Sequence, residues 1–178
     1  MISEKLQKAI NDQITAEMWS SNLYLSMSFY LKKEGFDGFA HWMKLQSQEE
    51  LQHAYDLADY VAKRGGVALV DKIDVVPQGW GSVLEVFEHV YKHECHVSEL
   101  IDNLVNVASE VKDKASQDFL WGYVREHDMT AEETFEREMR PLRSIQDNYE
   151  KIVLTLDRFS LGNYDGIKVV NVIDWLLG

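Results

Sequence analysis

Glu50 and His53 are spaced so that a carboxylate and an imidazole leave one face of a helix, one turn apart. Apolar residues share that face at the spacing of an amphipathic helix, so both side chains are predicted to point inward. An unpaired buried carboxylate is unfavourable, and a divalent metal ion removes that penalty. Taken alone, the pair is more often a satisfied core contact than a metal site. Two further carboxylates, Glu17 and Glu94, fall on the inward rows of other predicted helices, which favours a metal.

Four long helices are predicted to position these residues. Capping residues and helix breakers give their bounds: Ser3 to about Lys33, Asp37 to about Arg64, Ser82 with its capping-box partner Glu85 to the turn at Lys112, and Ser116 towards Pro141. The inward row of the first helix is Ile10, Ile14, Glu17, Ser21, Tyr24, Ser28 and Leu31. That of the third is Leu84, Phe87, Tyr91, Glu94, Ser98, Ile101, Leu104 or Val105, and Ala108. Each row carries a single carboxylate among uncharged residues.

Connection lengths predict how the helices are arranged. The first two helices are joined by a short turn and should therefore lie antiparallel. The stretch from Gly65 to Ser82 has no helical period, and about 16 extended residues reach roughly 50 Å, more than the ~40 Å of a helix of this length. That excess predicts a crossover between parallel helices, which makes the fold an all-α four-helix bundle with one long crossover.

The chain is expected to form a single domain over residues 1–178, with the bundle in residues 1–140. Beyond Pro141, apolar residues again repeat at helical spacing, which predicts a C-terminal helical extension over residues 141–178. The repeating residues are Leu142, Ile145, Tyr149, Ile152, Val153, Leu156 and Phe159.

Composition narrows the class of protein. Asp and Glu number 30 against 18 Lys and Arg, a net charge of −12, which argues against a nucleic-acid partner and suits the attraction of cations. The single cysteine, Cys95, excludes an internal disulfide and fits a reducing compartment. The N-terminus has no signal-peptide pattern, and no apolar run is long enough for a bilayer. A cytoplasmic protein without membrane contact is expected.

Several motifs together resemble those of prokaryotic non-haem ferritins. They are Glu17 with Tyr24, Gln48–His53, Tyr91–Glu94, Phe119–Trp121 and Tyr123–Glu126. The resemblance covers about Ser3 to Glu126, with matching intervals between the motifs. It implies a ferritin-like four-helix bundle with an additional C-terminal helix, and a homo-oligomeric shell of 24 subunits.

The resemblance also implies a non-haem di-iron site that oxidises Fe(II) with O2 or peroxide. A first iron would be held by Glu17, Glu50 and His53, and a second by Glu94 with Glu50 as the bridge. Carboxylates and imidazole suit iron and balance its rising charge on oxidation. Glu49 and Glu126 match ligands of a third, weaker iron position.

The chain departs from the family pattern late in the fourth helix. The family usually has Gln where this chain has His127, and Glu where it has Met129 and Thr130. Thr130 lacks the carboxylate that is usually the third ligand of the second iron. Met129 and Thr130 together leave the third iron position with two matching ligands, Glu49 and Glu126.

Two side chains, His127 and Tyr24, have two interpretations each, and three histidines share one predicted helix face. His127 either ligates the second iron in place of the missing carboxylate or bonds within the core. Tyr24 either serves redox chemistry beside the irons, as a catalytic residue, or is a core tyrosine bonded to a carboxylate. His89, His93 and His96 form a helical stripe that is expected to face solvent or another subunit.

Two functions from different classes follow from these residues. One is an iron-storage ferroxidase that keeps its ferric product as mineral inside an oligomeric shell. The alternative is a shell-forming subunit whose altered fourth helix has lost fast oxidation, leaving a structural or slow-mineralising role. A peroxidase of the rubrerythrin type is less favoured, because one cysteine cannot build the Cys-x-x-Cys iron domain of that type.

Overall fold

The computed structural model describes residues 1–127, 150–156, 158 and 161–178, with residues 125–127 described by their backbone alone. Four long helices dominate it, as predicted. They are α1 (Glu4–Lys33), α2 (Asp37–Lys63), α3 (Val83–Glu110) and α4 (Lys114–His127). None of the described helices is both long enough and apolar enough to cross a membrane. The expected boundary between bundle and extension at residue 140 lies outside the described residues.

Side-chain caps begin two of the helices where the sequence predicts them. Ser3 Oγ accepts a hydrogen bond from the backbone N–H of Leu6 at 3.3 Å, and Ser82 Oγ accepts one from Glu85 at 3.1 Å. The expectation that Asp37 caps α2 is wrong. Phe36 occupies the cap position without a side-chain hydrogen bond, and Asp37 is the first helical residue, paired with Lys32 at 2.7 Å.

The segment between α2 and α3 is the predicted crossover. It runs along α1 from one end of the bundle to the other, and successive hydrogen bonds trace its path: Val67 to Gln7, Leu69 to Asn11, Asp71 to Thr15, and the Ser26 hydroxyl to the Pro77 carbonyl. Along α1, residue numbers rise while those of the contacting residues fall, from Ser47 to Ala40 on α2 and from Glu110 to His93 on α3. Both helices are therefore antiparallel to α1 and parallel to each other.

Among the described residues, the core of the bundle has two apolar clusters, one at each end, and a smaller one lies in the C-terminal sheet. One is built around Leu6, Ile10 and Ile14 of α1, and the other around Leu23, Met27 and Leu31 of the same helix. Between them along α1 and α2 lie buried polar residues, among which Glu17, Glu50 and His53 are the ionisable ones. The apolar ends therefore hold a polar centre away from water at the middle of the bundle.

The predicted helical periodicity beyond Pro141 is wrong over residues 151–155, 162–164 and 167–171, which form a three-stranded sheet. The members of the predicted repeat that lie outside the described residues are Leu142, Ile145, Tyr149 and Phe159. Strand β1 (Lys151–Thr155) pairs in parallel with β3 (Ile167–Asn171), and β2 (Gly162–Tyr164) pairs antiparallel with β3. The turn between β2 and β3 is Asp165-Gly166, and both residues adopt positive φ, 56° and 86°. Such a two-residue turn suits the twist of a hairpin, and Asp-Gly is its usual sequence signal.

A short C-terminal helix, α5 (Val172–Leu177), follows the sheet and confirms the additional C-terminal helix. Asn171 caps it, accepting from the backbone N–H groups of Ile173 and Asp174 at 3.0 and 3.2 Å. Its apolar residues pack on the core cluster that contains Leu31, and Trp175 lies edge-on to Phe39 with ring centroids 6.3 Å apart. The C-terminal segment therefore closes one end of the bundle.

Gly66 lies where the end of α2 passes closely over the start of α1. A Cβ added to Gly66 would lie 2.5 Å from Gln7 Oε1 and 2.8 Å from Ile2 Cγ2. Gln7 Oε1 also accepts the Val67 N–H bond that starts the crossover. We therefore expect Gly66→Ala to lower the free energy of unfolding by about 1–3 kcal/mol, measured by urea denaturation followed by circular dichroism.

Gly122→Ala is the matched control for Gly66→Ala. Gly122 lies within α4, and an added Cβ there meets no described atom within 4 Å. The same change should raise stability by up to about 1 kcal/mol, because glycine is a poor helix former. Equal stability of the two variants would contradict the close packing at Gly66.

Candidate metal centre

Glu17, Glu50 and His53 come together in the interior of the bundle, as predicted. Each offers one ligand atom, and the three atoms lie within 4.8 Å of one another. The side chains are almost fully buried, with relative exposures of 1%, 4% and 7%. His53 Nδ1 lies 3.6 Å from Glu50 Oε2 across one helical turn. One position equidistant from these atoms suits a divalent cation bound by oxygen and nitrogen.

Hydrogen bonds and a ring contact position these three residues, which are called the trio below. Small residues let α1 and α2 approach closely beside it, and the Ser21 hydroxyl donates to the Ser47 carbonyl at 2.7 Å, one turn before Glu50. On α1, the buried amide of Gln13 donates to Glu17 Oε1 at 2.8 Å. On the α4 side, the ring of Tyr123 lies edge-on to His53, with centroids 5.4 Å apart.

Without a metal, burial makes the charged form of the Glu17 carboxyl unfavourable. Desolvation raises the pKa of the Glu17 carboxyl from 4.5 to about 9, the neighbouring Glu50 carboxyl adds to the rise, and the Gln13 amide opposes it. The second oxygen, Glu17 Oε2, is buried and has no hydrogen-bond donor among the described residues. At neutral pH the metal-free centre therefore holds a proton, which a divalent cation would displace.

Glu94 reaches the centre from α3 but lies at its edge. Its side chain is half-buried and does not belong to the trio. Glu94 Oε1 accepts a hydrogen bond from the hydroxyl of Tyr24, which is fully buried on α1. Burial, with Glu94 second, raises the pKa of Tyr24 well above 10, so the phenol keeps its proton and remains a donor. This contact agrees with the reading of Tyr24 as a core tyrosine bonded to a carboxylate.

The other predicted ligands have different outcomes. Glu49 is half-buried, and its carboxylate accepts a hydrogen bond from Gln46 Nε2 at 2.8 Å, outside the trio. Glu126 and His127 lie in α4, but their side chains lie outside the described residues, as do Met129 and Thr130 altogether. The roles of Glu49, Glu126 and His127 as ligands stay predictions.

The buried face of α3 agrees with the predicted row at Phe87, Ile101 and Ala108 and differs from it by one residue in between, around Tyr91 and Glu94. His93, expected to face solvent, is only 9% exposed, whereas Tyr91, expected inside, is 45% exposed. The buried row runs through Val86, Val90, His93 and Val97, and His96 is exposed. A shift of one residue rotates the face by about 100°. Sequence reasoning therefore missed His93, although its spacing of three from Val90 and four from Val97 was a usable signal.

A family model describing the ferritin-like domain matches residues 7–138, which is about three quarters of the chain. This chain belongs to the ferritin family. The matched range includes Glu17, Glu50 and His53, and also Glu94. It leaves out the C-terminal strands, so the sheet lies outside the part that the family model covers.

This ferritin is similar in sequence to individual ferritins of prokaryotes. A bacterial non-heme ferritin of Bacteroides fragilis is 75% identical over 126 residues, which cover 71% of this chain and 79% of that protein. A bacterial non-heme ferritin of Staphylococcus epidermidis is 32% identical over 154 residues, covering 86% and 92%. The resemblance to prokaryotic non-haem ferritins is thereby confirmed.

Solved structures agree with this membership. An open pore ferritin from the archaeon Archaeoglobus fulgidus has a TM-score of 0.71 and 40% identity, covering 81% of this ferritin and 90% of that chain. A Chlorobium tepidum ferritin has a TM-score of 0.70 and 31% identity, covering 80% and 87%. The bundle with one long crossover is therefore the ferritin fold.

Proposed function

We propose that this iron-storage protein oxidises Fe(II) at the buried centre and keeps the ferric product as mineral inside an oligomeric shell. The observation that carries the proposal is the trio itself, in which ligand atoms from two helices lie within 4.8 Å of one another and all three residues are buried. Two acidic groups and an imidazole packed this closely are tolerable when a cation neutralises them. Membership of the ferritin family makes iron the cation of choice.

In this proposal two irons share the centre. Glu17, Glu50 and His53 hold the first, while Glu50 bridges to a second that Glu94 approaches from α3. Each Fe(II) gives up one electron, and the pair with two protons reduces O2 to hydrogen peroxide, or hydrogen peroxide to two waters. Tyr24 holds Glu94 through its hydroxyl. His127 is the proposed third ligand of the second iron, and Glu49 with Glu126 would provide a weak third position.

The alternative function, a shell subunit with slow oxidation, is favoured by a specific feature of the sequence. The family's carboxylates at positions 129 and 130 are replaced by Met129 and Thr130. A second iron with fewer anionic ligands binds more weakly, and the two-electron step then slows. The two functions therefore differ in oxidation rate and not in iron retention.

Aerobic addition of Fe(II) to the metal-free protein tests both functions. We expect ferric absorbance to rise faster than in buffer alone, and the iron to elute with the protein on gel filtration. Protein preloaded with Zn(II), which also prefers carboxylate and imidazole ligands, should oxidise Fe(II) more slowly. Iron that elutes with the protein after oxidation no faster than in buffer would select the slow-mineralising role.

We also propose a homo-oligomer of 24 subunits in the cytoplasm. The ferritins similar to this chain, one of them described as an open pore form, support assembly into a shell. The single cysteine is free and exposed, which fits a reducing compartment. Analytical ultracentrifugation measures the number of subunits directly.

A further inference from the structure

Ser20 and His93 form a buried hydrogen bond between α1 and α3, next to the metal centre. His93 Nε2 lies 2.8 Å from Ser20 Oγ, and both residues are buried, at 9% and 1% exposure. The ring of His93 packs on Trp19 and lies edge-on to Tyr24, with centroids 5.4 and 5.9 Å away. None of the roles assigned above uses this histidine.

Ser20 Oγ has two hydrogen-bond contacts. It lies 3.0 Å from the Ala16 carbonyl, to which it can donate, and 2.8 Å from His93 Nε2. When the single hydroxyl hydrogen goes to Ala16, Ser20 Oγ accepts the N–H of His93 Nε2. In either tautomer the contact with α1 fixes the orientation of the imidazole ring.

This bond has a neighbour that reaches the metal centre. Ser20 and Tyr24 are one turn apart on α1, while His93 and Glu94 are consecutive on α3. The Ser20–His93 and Tyr24–Glu94 hydrogen bonds therefore form two adjacent rungs between the same helices. The first rung sets the axial position of α3 against α1, and the second holds the Glu94 carboxylate at the edge of the centre.

We propose that His93 is a positioning residue for Glu94, the α3 ligand of the second iron. The inference rests on the proposed di-iron function. The neighbours of His93 along the buried row, Val90 and Val97, are apolar, so an apolar side chain would satisfy packing alone. A polar residue in that row instead specifies one register of the two helices. Through that register, His93 keeps Glu94 and Tyr24 opposite each other.

Anaerobic titration with Co(II) tests the role of His93, because the visible absorbance of Co(II) reports binding without oxidation. Wild-type protein is expected to bind two Co(II) per subunit. His93→Leu should keep the tight site of Glu17, Glu50 and His53 within about twofold and weaken the second by roughly 10-fold or more, the range for losing a residue that orients a ligand. His93→Gln should restore the second site, because its amide N–H can donate to Ser20 Oγ.

Ser20→Ala removes the acceptor while leaving the imidazole, and should weaken the second site in the same direction. A purely structural role would weaken both sites together in His93→Leu and Ser20→Ala, and that result would overturn the proposal. It is also overturned if wild type binds two Co(II) and His93→Leu binds both equally well. A wild type that binds a single Co(II) would instead contradict the di-iron site itself, and with it the role of His93.

Discussion

Glu50→Gln is expected to lower the initial rate of aerobic Fe(II) oxidation by roughly 100-fold, because residues that merely orient a ligand already contribute 10- to 100-fold. Glu50 is the carboxylate that both irons share in the proposed centre, and its oxygen lies 3.6 Å from His53 Nδ1. Glutamine has the same shape but neither the charge nor the second anionic oxygen needed to bridge two cations. The rise of ferric absorbance after mixing with Fe(II) measures the rate.

Asp56→Asn is the matched control for Glu50→Gln. Asp56 is an exposed carboxylate on the same helix, less than two turns away, where it accepts a hydrogen bond from Gln52 at 2.9 Å. The substitution changes the net charge by the same amount, so both variants attract Fe(II) to the protein surface equally. We expect Asp56→Asn to oxidise iron at nearly the wild-type rate. Equal losses in both variants would point to surface charge and against the buried centre.

A loss of folding stability is not expected to explain a slower oxidation rate in Glu50→Gln. In the metal-free protein the Glu50 carboxyl raises the pKa of Glu17, so replacing Glu50 with an uncharged isostere relieves repulsion in the core. Glu50→Gln should therefore unfold at a temperature equal to or above that of the metal-free wild type. A slow variant with an intact, stable helical bundle assigns the loss of rate to the metal centre.

The trio was predictable from sequence because helical periodicity is local. Glu17 sits alone in a row of uncharged residues on α1, and Glu50 and His53 are one turn apart on α2. Two antiparallel helices joined by a short turn then leave little freedom in where those rows meet. The crossover was equally predictable, because its length excludes a tight turn.

Glu94 and His93 show where periodicity alone falls short. Two neighbouring rows of α3 compete for the interior, one through Tyr91 and Glu94 and the other through Val90 and His93. The apolar row is the buried one, since its valines gain more from leaving water than a tyrosine and a carboxylate do. Glu94 therefore reaches the centre from the edge of the face, held by a tertiary contact with Tyr24 that sequence spacing does not encode.

The C-terminal sheet was missed for a different reason. Strands β1 and β3 are rich in β-branched residues, and spacings of three and four among the apolar residues of this segment imitate a helix. The decisive signal was Asp165-Gly166, where both residues adopt positive φ. Weighing turn chemistry before periodicity would have predicted the β2–β3 hairpin, but not the parallel pairing of β1 with β3, which depends on packing.

Glu17→Gln is expected to stabilise the metal-free protein and to abolish most of its stabilisation by metal. The pKa of Glu17 is raised to about 9 in the folded protein, mainly by burial and then by Glu50, from an ordinary value of 4.5. Between these values the folded chain keeps a proton that the unfolded chain releases. The stability that Glu17 contributes is therefore fully present below pH 4.5 and is lost as the pH rises towards 9.

The size of the effect grows with pH in a defined way. Each unit of pH above the unfolded pKa costs the wild type about 1.4 kcal/mol, which amounts to roughly 3 kcal/mol at pH 7. Glutamine resembles the protonated carboxyl and does not titrate, so the variant avoids this loss. We expect the stability difference between Glu17→Gln and wild type to be near zero at pH 4.5 and to increase steadily to pH 9. Urea unfolding with EDTA, at one protein concentration throughout, measures it.

Adding a divalent metal should reverse the order of stability of wild type and Glu17→Gln. A ligand at 1,000 times its dissociation constant stabilises the folded state by about 4.1 kcal/mol, and wild type is expected to gain this in full, which exceeds the roughly 3 kcal/mol advantage of the variant at pH 7. Glu17→Gln replaces an anionic ligand of the first site by a weak neutral one and should gain little. The variant is then the more stable protein in EDTA, and wild type overtakes it as metal is added. If wild type is the more stable protein under both conditions, Glu17 is an ordinary satisfied core residue and the centre does not exist to hold a cation.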